Sequence, residues 1–415
     1  MKRLTLLFLF IGTICFSQNA TLSLDSCLRL AKKNYPLIKQ NNLLEENKIN
    51  NIKADNKNWL PKTSFITKAT YQTEVVEFQG QSFPHDNYVA ALDIEQSLVD
   101  GGQTKQLKRL DRLNADTETL KNEVELYKLI DRVNQLYGTV LLSRENIKIL
   151  KLYKEDISNK KIIIAASVNN GIMLQSNLDA LEAEELKTEQ SLIETKSNLE
   201  TSYQSLMMFI NSRITDSTLF SLQPALSESK GDELNRPELK LFDAQKSLFE
   251  VRHKLENKNA MPRISISGEG AYGRPGPNFL DQDLRFFAQA GINIKWNIGA
   301  LYNFSNQKKQ LSINQKMVDV QKEVFEFNIR NAMLTEIAQI NSLTEIIEKD
   351  KKIIEKRHNI SSTYAIQLQN GAITSTDYLT ELNAEMQAIL NQKVHEIKRM
   401  TFITNYNTSK GINNF

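Results

Sequence analysis

The side chains able to do chemistry are few and scattered. The four histidines are His85, His253, His358 and His395, and the two cysteines are Cys15 and Cys27. No HExxH pair and no Cys/His cluster is present, so no metal-ligand spacing exists. No GxxxxGK[ST] loop occurs to cradle a nucleotide phosphate. No nucleophile, base and orienting group converge on one segment. The formal net charge is +3 over 415 residues, which marks no nucleic-acid surface. These observations predict a protein that is not an enzyme, with no metal, no cofactor and no nucleic-acid partner. Its function must lie in architecture.

The first residues predict a compartment. Lys2 and Arg3 precede the apolar run Leu4 to Ile14, and Cys15 and Ser17 sit three and one residues before a cut at Gln18. This is the layout of a cleaved signal peptide over residues 1–17. Bulky Ile14 before Cys15 argues against lipidation. Cleavage leaves Cys27 alone, so no intramolecular disulfide is expected. No apolar run of about 18 residues follows, so no helix is expected to cross a bilayer. Any membrane passage must be made by strands.

The chain reads as one unit written twice. A shift of 201 residues places Asn34 and Pro36 on Asn235 and Pro237. The same shift places Lys53, Asn56, Lys57, Asn58 and Pro61 on Lys254, Asn257, Lys258, Asn259 and Pro262. It also places Leu178, Leu181, Ala183 and Glu184 on Leu379, Leu382, Ala384 and Glu385. The expected organisation is a first repeat over 18–210, a linker over 211–235 and a second repeat over 236–415. Each repeat reads as a helix, a strand hairpin and two long helices. The first helix runs from about 36 to 59, with its copy at 237–260. No proline lies between 85 and 223 or after Pro277, which permits helices of great length. They are expected over 102–167 and 172–210, then 301–369 and 373–408. Leu126, Leu129, Val133, Leu136 and Val140 recur at the three-and-four spacing of helices packed side by side. At about 1.5 Å per residue the longest would reach roughly 100 Å.

Two hairpins are expected, over about 62–98 and 262–298. In 284–298 the even positions Leu284, Phe286, Ala288, Ala290, Ile292, Ile294, Trp296 and Ile298 are all apolar. The odd positions are nearly all polar or small. Strict period-two alternation predicts a strand with one apolar and one wet face. In the first hairpin Tyr88, Ala90, Leu92, Ile94 and Leu98 oppose Asp93, Glu95 and Ser97. Strands of about 10–15 residues with aromatics near their ends suit a tilted bilayer crossing. The lipid-facing set is therefore Leu92, Ile94, Phe286, Ile292, Ile294 and Trp296. Four strands cannot close a barrel, and an open edge in lipid leaves backbone groups unpaired. The chain must therefore oligomerise. Two copies give eight strands and three give twelve, and both numbers are allowed.

Particular motifs resemble the TolC-like outer-membrane efflux protein family over essentially the whole mature length. They are Leu22-Ser23-Leu24 with Cys27-Leu28 and Ala31, Asn34-Tyr35-Pro36, Trp59-Leu60-Pro61 and Leu98-Val99-Asp100-Gly101-Gly102. With them go Asn170-Gly171 and Asn370-Gly371, each followed by a Leu-x-x-Leu-x-Ala segment, Leu178 to Ala183 and Leu379 to Ala384. One departure is Ile298-Gly299-Ala300-Leu301, where the Val-Asp-Gly-Gly form is expected. The resemblance implies a mixed α and membrane β fold. It is a homotrimer in which each chain gives four strands to a twelve-strand transmembrane barrel and long helices to a coiled-coil tunnel. It implies residence in the outer membrane of a Gram-negative bacterium, contact with outer-membrane lipid, and a long periplasmic extension. The implied function is a passive conduit from periplasm to exterior, working with a periplasmic adaptor and, through it, an inner-membrane pump.

Residue roles follow from the same resemblance. Gly171, Ile172, Gly371 and Ala372 at the helical tips are implied to dock the adaptor. Asp377, six residues past Gly371, is implied to line a narrowed periplasmic end, with Thr380, Asn177 and Asp179 beside it. The alternative reading is a periplasmic coiled-coil adaptor, which predicts one helical hairpin set between soluble β domains.

Overall fold

The computed structural model describes residues 21–78, 81–221 and 233–412. The expected signal peptide and Cys15, with the middle of the expected linker, lie outside them. Contacts divide the chain into two units, and each draws on both sequence repeats. One unit comprises the described residues within Met1–Pro36, Glu125–Arg236 and Asn328–Phe415; the other comprises those within Leu37–Val124 and Pro237–Phe327.

The second unit holds a four-stranded antiparallel sheet. Its strands are β1 (Lys62–Tyr71), β4 (Asp86–Val99), β5 (Arg263–Arg274) and β6 (Arg285–Lys295), hydrogen-bonded in the order β1-β4-β5-β6. A small ribbon, β2 (Glu77–Phe78) with β3 (Gln81–Ser82), extends the first hairpin. Helices of this unit are α2 (Ile38–Asn56), the first part of α3 (Gln103–Tyr127), α6 (Pro237–Asn259) and the first part of α7 (Ala300–Gln369). They neighbour one another in the order of the strands they continue. Asn122 Nδ2 donates to Asn41 Oδ1 between α3 and α2 at 2.9 Å. Gln103 Nε2 donates to Asn259 Oδ1 between α3 and α6 at 2.9 Å. Lys246 and Lys322 pair with Asp319 and Asp243 between α6 and α7 at 2.7 and 2.9 Å.

The first unit is helical. It contains α1 (Leu24–Asn34), α4 (Leu129–Asn169), α5 (Gln175–Ile210), the rest of α7 and α8 (Ser375–Lys410). Ser23 caps α1 by accepting from Ser26 N at 3.2 Å. Tyr35 is extended, as the residue before Pro36 must be, and this separates α1 from α2. Leu24, Cys27, Leu28 and Ala31 of α1 pack against Val133, Tyr137 and Val140 of α4, Leu206 and Ile210 of α5, and Met400 of α8. Cys27 is fully buried, and burial pushes its thiol up to about 12, so it behaves as an inert apolar side chain.

Three sequence expectations change. The helix expected over 102–167 is divided at Lys128 into α3 and α4, whereas its copy α7 runs uninterrupted for 70 residues. The pairing of β4 with β5 shifts between Ser97 and Val99, so Leu98 is the extra residue of a bulge. Val99 then lies opposite Ile264 and continues the apolar row in place of Leu98. Strand β6 ends at Lys295, so Trp296 lies just past it and not within it.

Candidate functional site

The sheet register joins the apolar parities of four strands into one face. Phe65, Leu92, Gly270 and Ala288 form one cross-strand row, and Thr67, Ala90, Tyr272 and Phe286 form another. Gln96, Ile266 and Ile292 form a third, and Val99, Ile264 and Ile294 a fourth. On the opposite face Ser64, Asp93, Glu269 and Gln289 align, as do Lys62, Glu95, Ser267 and Gly291. The wet face is a trough lined by these polar groups and Asn293. The apolar face is uncovered: Phe65 is 71% exposed, Ile292 69%, Ile294 71% and Phe286 85%. So large an exposed apolar patch marks a surface meant for something other than water.

Aromatics flank that face. Tyr272 and Phe286 pack at 4.6 Å between ring centroids at one end, and exposed Tyr71 and Tyr88 share that level. At the other end stand Trp59 and Trp296, the two tryptophans of the chain. Trp296 Nε1 donates to Ala260 O at 3.0 Å, and Gln96 Nε2 donates to Trp59 O at 2.6 Å. Positions 59 and 260 are equivalent under the 201-residue shift. Each hairpin thus closes its own strand start with a side chain from the end of its returning strand, Gln96, or from just past it, Trp296. Among the described residues no helix is long and apolar enough to cross a membrane.

The helical tips form the second region. Gly171 and Gly371 have φ of 70° and 71°, the left-handed conformation that ends a helix. Ile172 N donates to Ser167 O and Ala372 N to Gln367 O, both at 2.9 Å, so the two turns share one hydrogen-bond pattern. Gly171, Ile172, Gly371 and Ala372 are all exposed.

After the turns the chemistry diverges. Thr374 caps α8, its hydroxyl accepting from Asp377 N at 3.2 Å, while Asp377 Oδ2 accepts from Thr374 N at 3.0 Å and Thr374 Oγ1 at 2.7 Å. These hydrogen bonds hold the Asp377 carboxyl below its usual value, so within one chain it is an ionised helix cap. Leu174 occupies the same place before α5 and offers no cap. Asn177 Oδ1 instead accepts from Ser375 N at 2.8 Å and so caps the other repeat's helix. Asp179 accepts from Gln175 at 2.8 Å, and Thr380 donates to Thr376 O at 2.9 Å. The structure thus brings Asn177 to the start of α8 beside Asp377, and leaves Asp179 and Thr380 engaged with their own helices.

Beneath the tips lies a core that sequence reasoning missed. Tyr153, Ile157, Ile164, Leu181, Leu368, Tyr378, Leu379 and Leu382 are buried together. Tyr378 OH donates to Asp156 Oδ2 at 2.6 Å across 222 residues, and Tyr153 OH donates to Asn383 Oδ1 at 2.9 Å. Burial, then the Asp156 carboxylate, holds the Tyr378 phenol protonated. A tyrosine within an apolar stripe was the one available signal; its partner was not legible. His358 and His395 each stand against a single carboxylate, Glu385 and Asp350, at 2.7 Å. Among the described residues no group of three or more metal-binding side chains forms.

Comparison with solved structures decides the fold. The chain is similar to the outer membrane protein VceC of Vibrio cholerae at 10% identity and TM-score 0.71, over 94% of this chain and 96% of that one. It is similar to the open state of the MtrE outer-membrane channel of Neisseria gonorrhoeae at 12% identity and TM-score 0.69, over 94% and 88% of the two chains. The CmeC outer-membrane channel of Campylobacter jejuni gives 14%, 0.69, 95% and 86%. The fold is that of the TolC-like outer-membrane channels. No family model matches the sequence, and no curated protein is significantly similar to it. The TolC-like fold contains both regions described above: a sheet with an uncovered apolar face, and paired helical turns of which the second is followed by a capping box.

Proposed function

We propose that this chain is the channel subunit of an export system in the outer membrane of a Gram-negative bacterium. It is a passive conduit from the periplasm to the exterior. The observation that carries this reading is the four-stranded sheet, with one uncovered apolar face, one wet face and unpaired edges at β1 and β6. In lipid those edges must be satisfied by further copies, and three copies supply the twelve strands of a closed barrel. The wet face then lines a lumen, and Leu92, Ile94, Phe286, Ile292, Ile294 and Trp296 meet lipid. The matching hairpins and matching tip turns support an internal duplication. A periplasmic adaptor, the alternative, needs no sheet with an uncovered apolar face.

In this reading Gly171, Ile172, Gly371 and Ala372 dock a periplasmic adaptor, which links the channel to an inner-membrane pump. Asp377, flanked by Asn177, Asp179 and Thr380, lines the narrowed end of the tunnel. Three copies of one carboxylate around an axis would hold cations there. The test is outer-membrane fractionation with a heat-sensitive trimer band, followed by conductance of the purified trimer in planar bilayers. A protein that fractionates with the membrane as a trimer and conducts supports the reading. A soluble monomer without conductance overturns it.

A further inference from the structure

The two ends of the sheet carry opposite charge. On the helix side, the fifteen residues adjoining each strand are 47–61, 100–114, 248–262 and 296–310, and together they contain twelve Lys and Arg against five Asp and Glu. That net of +7 exceeds the +3 of the entire chain. On the far side, the connections 72–85 and 275–284 contain Glu74, Glu77, Asp281 and Asp283 and no Lys or Arg. The two arginines at that rim are already paired, Arg274 with Asp86 at 2.7 Å and Arg285 with Asp281 at 2.9 Å.

The helix-side cations differ in their helix electrostatics: Lys53 and Lys258 end their helices, where a cation is favoured, while Lys105 stands in the first turn of α3, where it is disfavoured. The first turn of α3 has no acidic residue, and neither does that of α7. A helix start carries partial positive charge that fades within one turn, so Lys105 adds repulsion that a carboxylate would have relieved, and Arg109 and Arg112 follow it in the next two turns of α3. Their spacing of four and three places them on one stripe, and all three are exposed. Lys53 and Lys57 at the end of α2, and Lys308 and Lys309 in α7, are exposed as well. At about 1.5 Å per residue, every one of these lies within roughly 15 Å of the helix end that meets the sheet. Trp59 and Trp296, at 40% and 52% exposure, mark the same level. Tryptophan anchors at a membrane–water interface, and basic side chains just beyond one attract anionic headgroups.

From this charge complementarity we infer that the helix-side rim of the sheet is a docking belt for anionic phospholipid headgroups of the adjoining leaflet. The inference rests on the membrane reading of the sheet. The belt fixes the depth and direction of insertion, because the acidic far rim is repelled by the same headgroups.

The full-length protein, purified in detergent, is mixed with phosphatidylglycerol or phosphatidylcholine and washed, and the lipid retained per chain is measured. Retention of phosphatidylglycerol well above phosphatidylcholine is expected, lost in about 1 M salt where screening reaches about 3 Å. A variant carrying Lys105→Gln, Arg109→Gln, Arg112→Gln, Lys308→Gln and Lys309→Gln should retain at least about tenfold less phosphatidylglycerol, a factor that the loss of one or two surface-level cations already reaches. The same positions exchanged between Lys and Arg should retain it fully, which separates charge from folding. Equal phosphatidylglycerol retention by the wild type and the glutamine variant overturns the belt. So does unchanged retention accompanied by a change in anion conductance, which would place these cations on the lumen. The trimer band and conductance are recorded on the same samples, so a failed channel reading shows as their loss in the wild type.

Discussion

The two repeats build the same parts and secure them at opposite ends. In the first repeat the strand-to-helix turn is secured: Asp100 accepts from Gly102 N at 2.8 Å and Thr104 N at 2.7 Å, and Gly101 and Gly102 have positive φ. Its tip is left without a cap at Leu174. In the second repeat Ile298-Gly299-Ala300 has no carboxylate at the strand exit, and the Thr374–Asp377 box secures the tip. The tip turns, with Gly171 and Gly371 both at positive φ, are therefore alike in the two halves, while the strand-to-helix turns and the hydrogen-bonding side chains differ. Shared parts should tolerate the same changes in both copies, and divergent parts should not.

The largest expected effect tests the shared sheet. Leu92→Arg in the first hairpin and Ile292→Arg in the second should both abolish the heat-sensitive trimer band, because a cation facing mid-bilayer costs about 2–4 kcal/mol. Asn293→Arg, on the wet face, should assemble. Tolerance at either apolar position would break the equivalence of the hairpins.

Next comes the strand-to-helix turn. Gly101→Ala should destabilise by about 1–2 kcal/mol or more, since φ is +65° and the new Cβ would lie 2.7 Å from Met261 Cβ. Gly299→Ala, with no such φ and no contact closer than 3.7 Å, should change the melting temperature little.

A smaller effect is expected at the tips. Thr374→Ala should cost about 1 kcal/mol, and Leu174→Thr, whose backbone is already extended, should gain about 0.5–1 kcal/mol. Asp377→Asn keeps an acceptor for Thr374 and removes the charge. It should leave the melting temperature nearly unchanged and lower cation selectivity in bilayer recordings. Unaltered selectivity would confine Asp377 to capping.

A separate effect is a pH dependence centred on Glu336 of the second repeat and its neighbour Asp131 of the first. Burial first, then the nearby Asp131 carboxylate, raises Glu336 to about 7, against opposing help from Ser409 and Arg236. The folded form binds its proton more tightly than the unfolded chain does. Stability should therefore fall as pH rises from about 4.5 to 7. Glu336→Gln should flatten that slope in thermal melts, and an unchanged slope would assign it to other groups.

Much of this protein was legible in sequence because its signals are local and periodic. Alternation over 284–298 marked the uncovered face, missing prolines permitted α7, and Asn-Gly pairs located both tips. Period two and period 3.6 are properties of a single segment, set by its own backbone. Tertiary structure alone decided what stands opposite. The bulge at Leu98 handed the apolar row to Val99, because register depends on how the neighbouring strand pairs. Asn177 became the cap of α8, and Tyr378 found Asp156, because each partner lies some two hundred residues away. Asp377 shows both sides: its type and its spacing from Thr374 allow a cap, and only the folded helix start shows that its carboxylate is used as one.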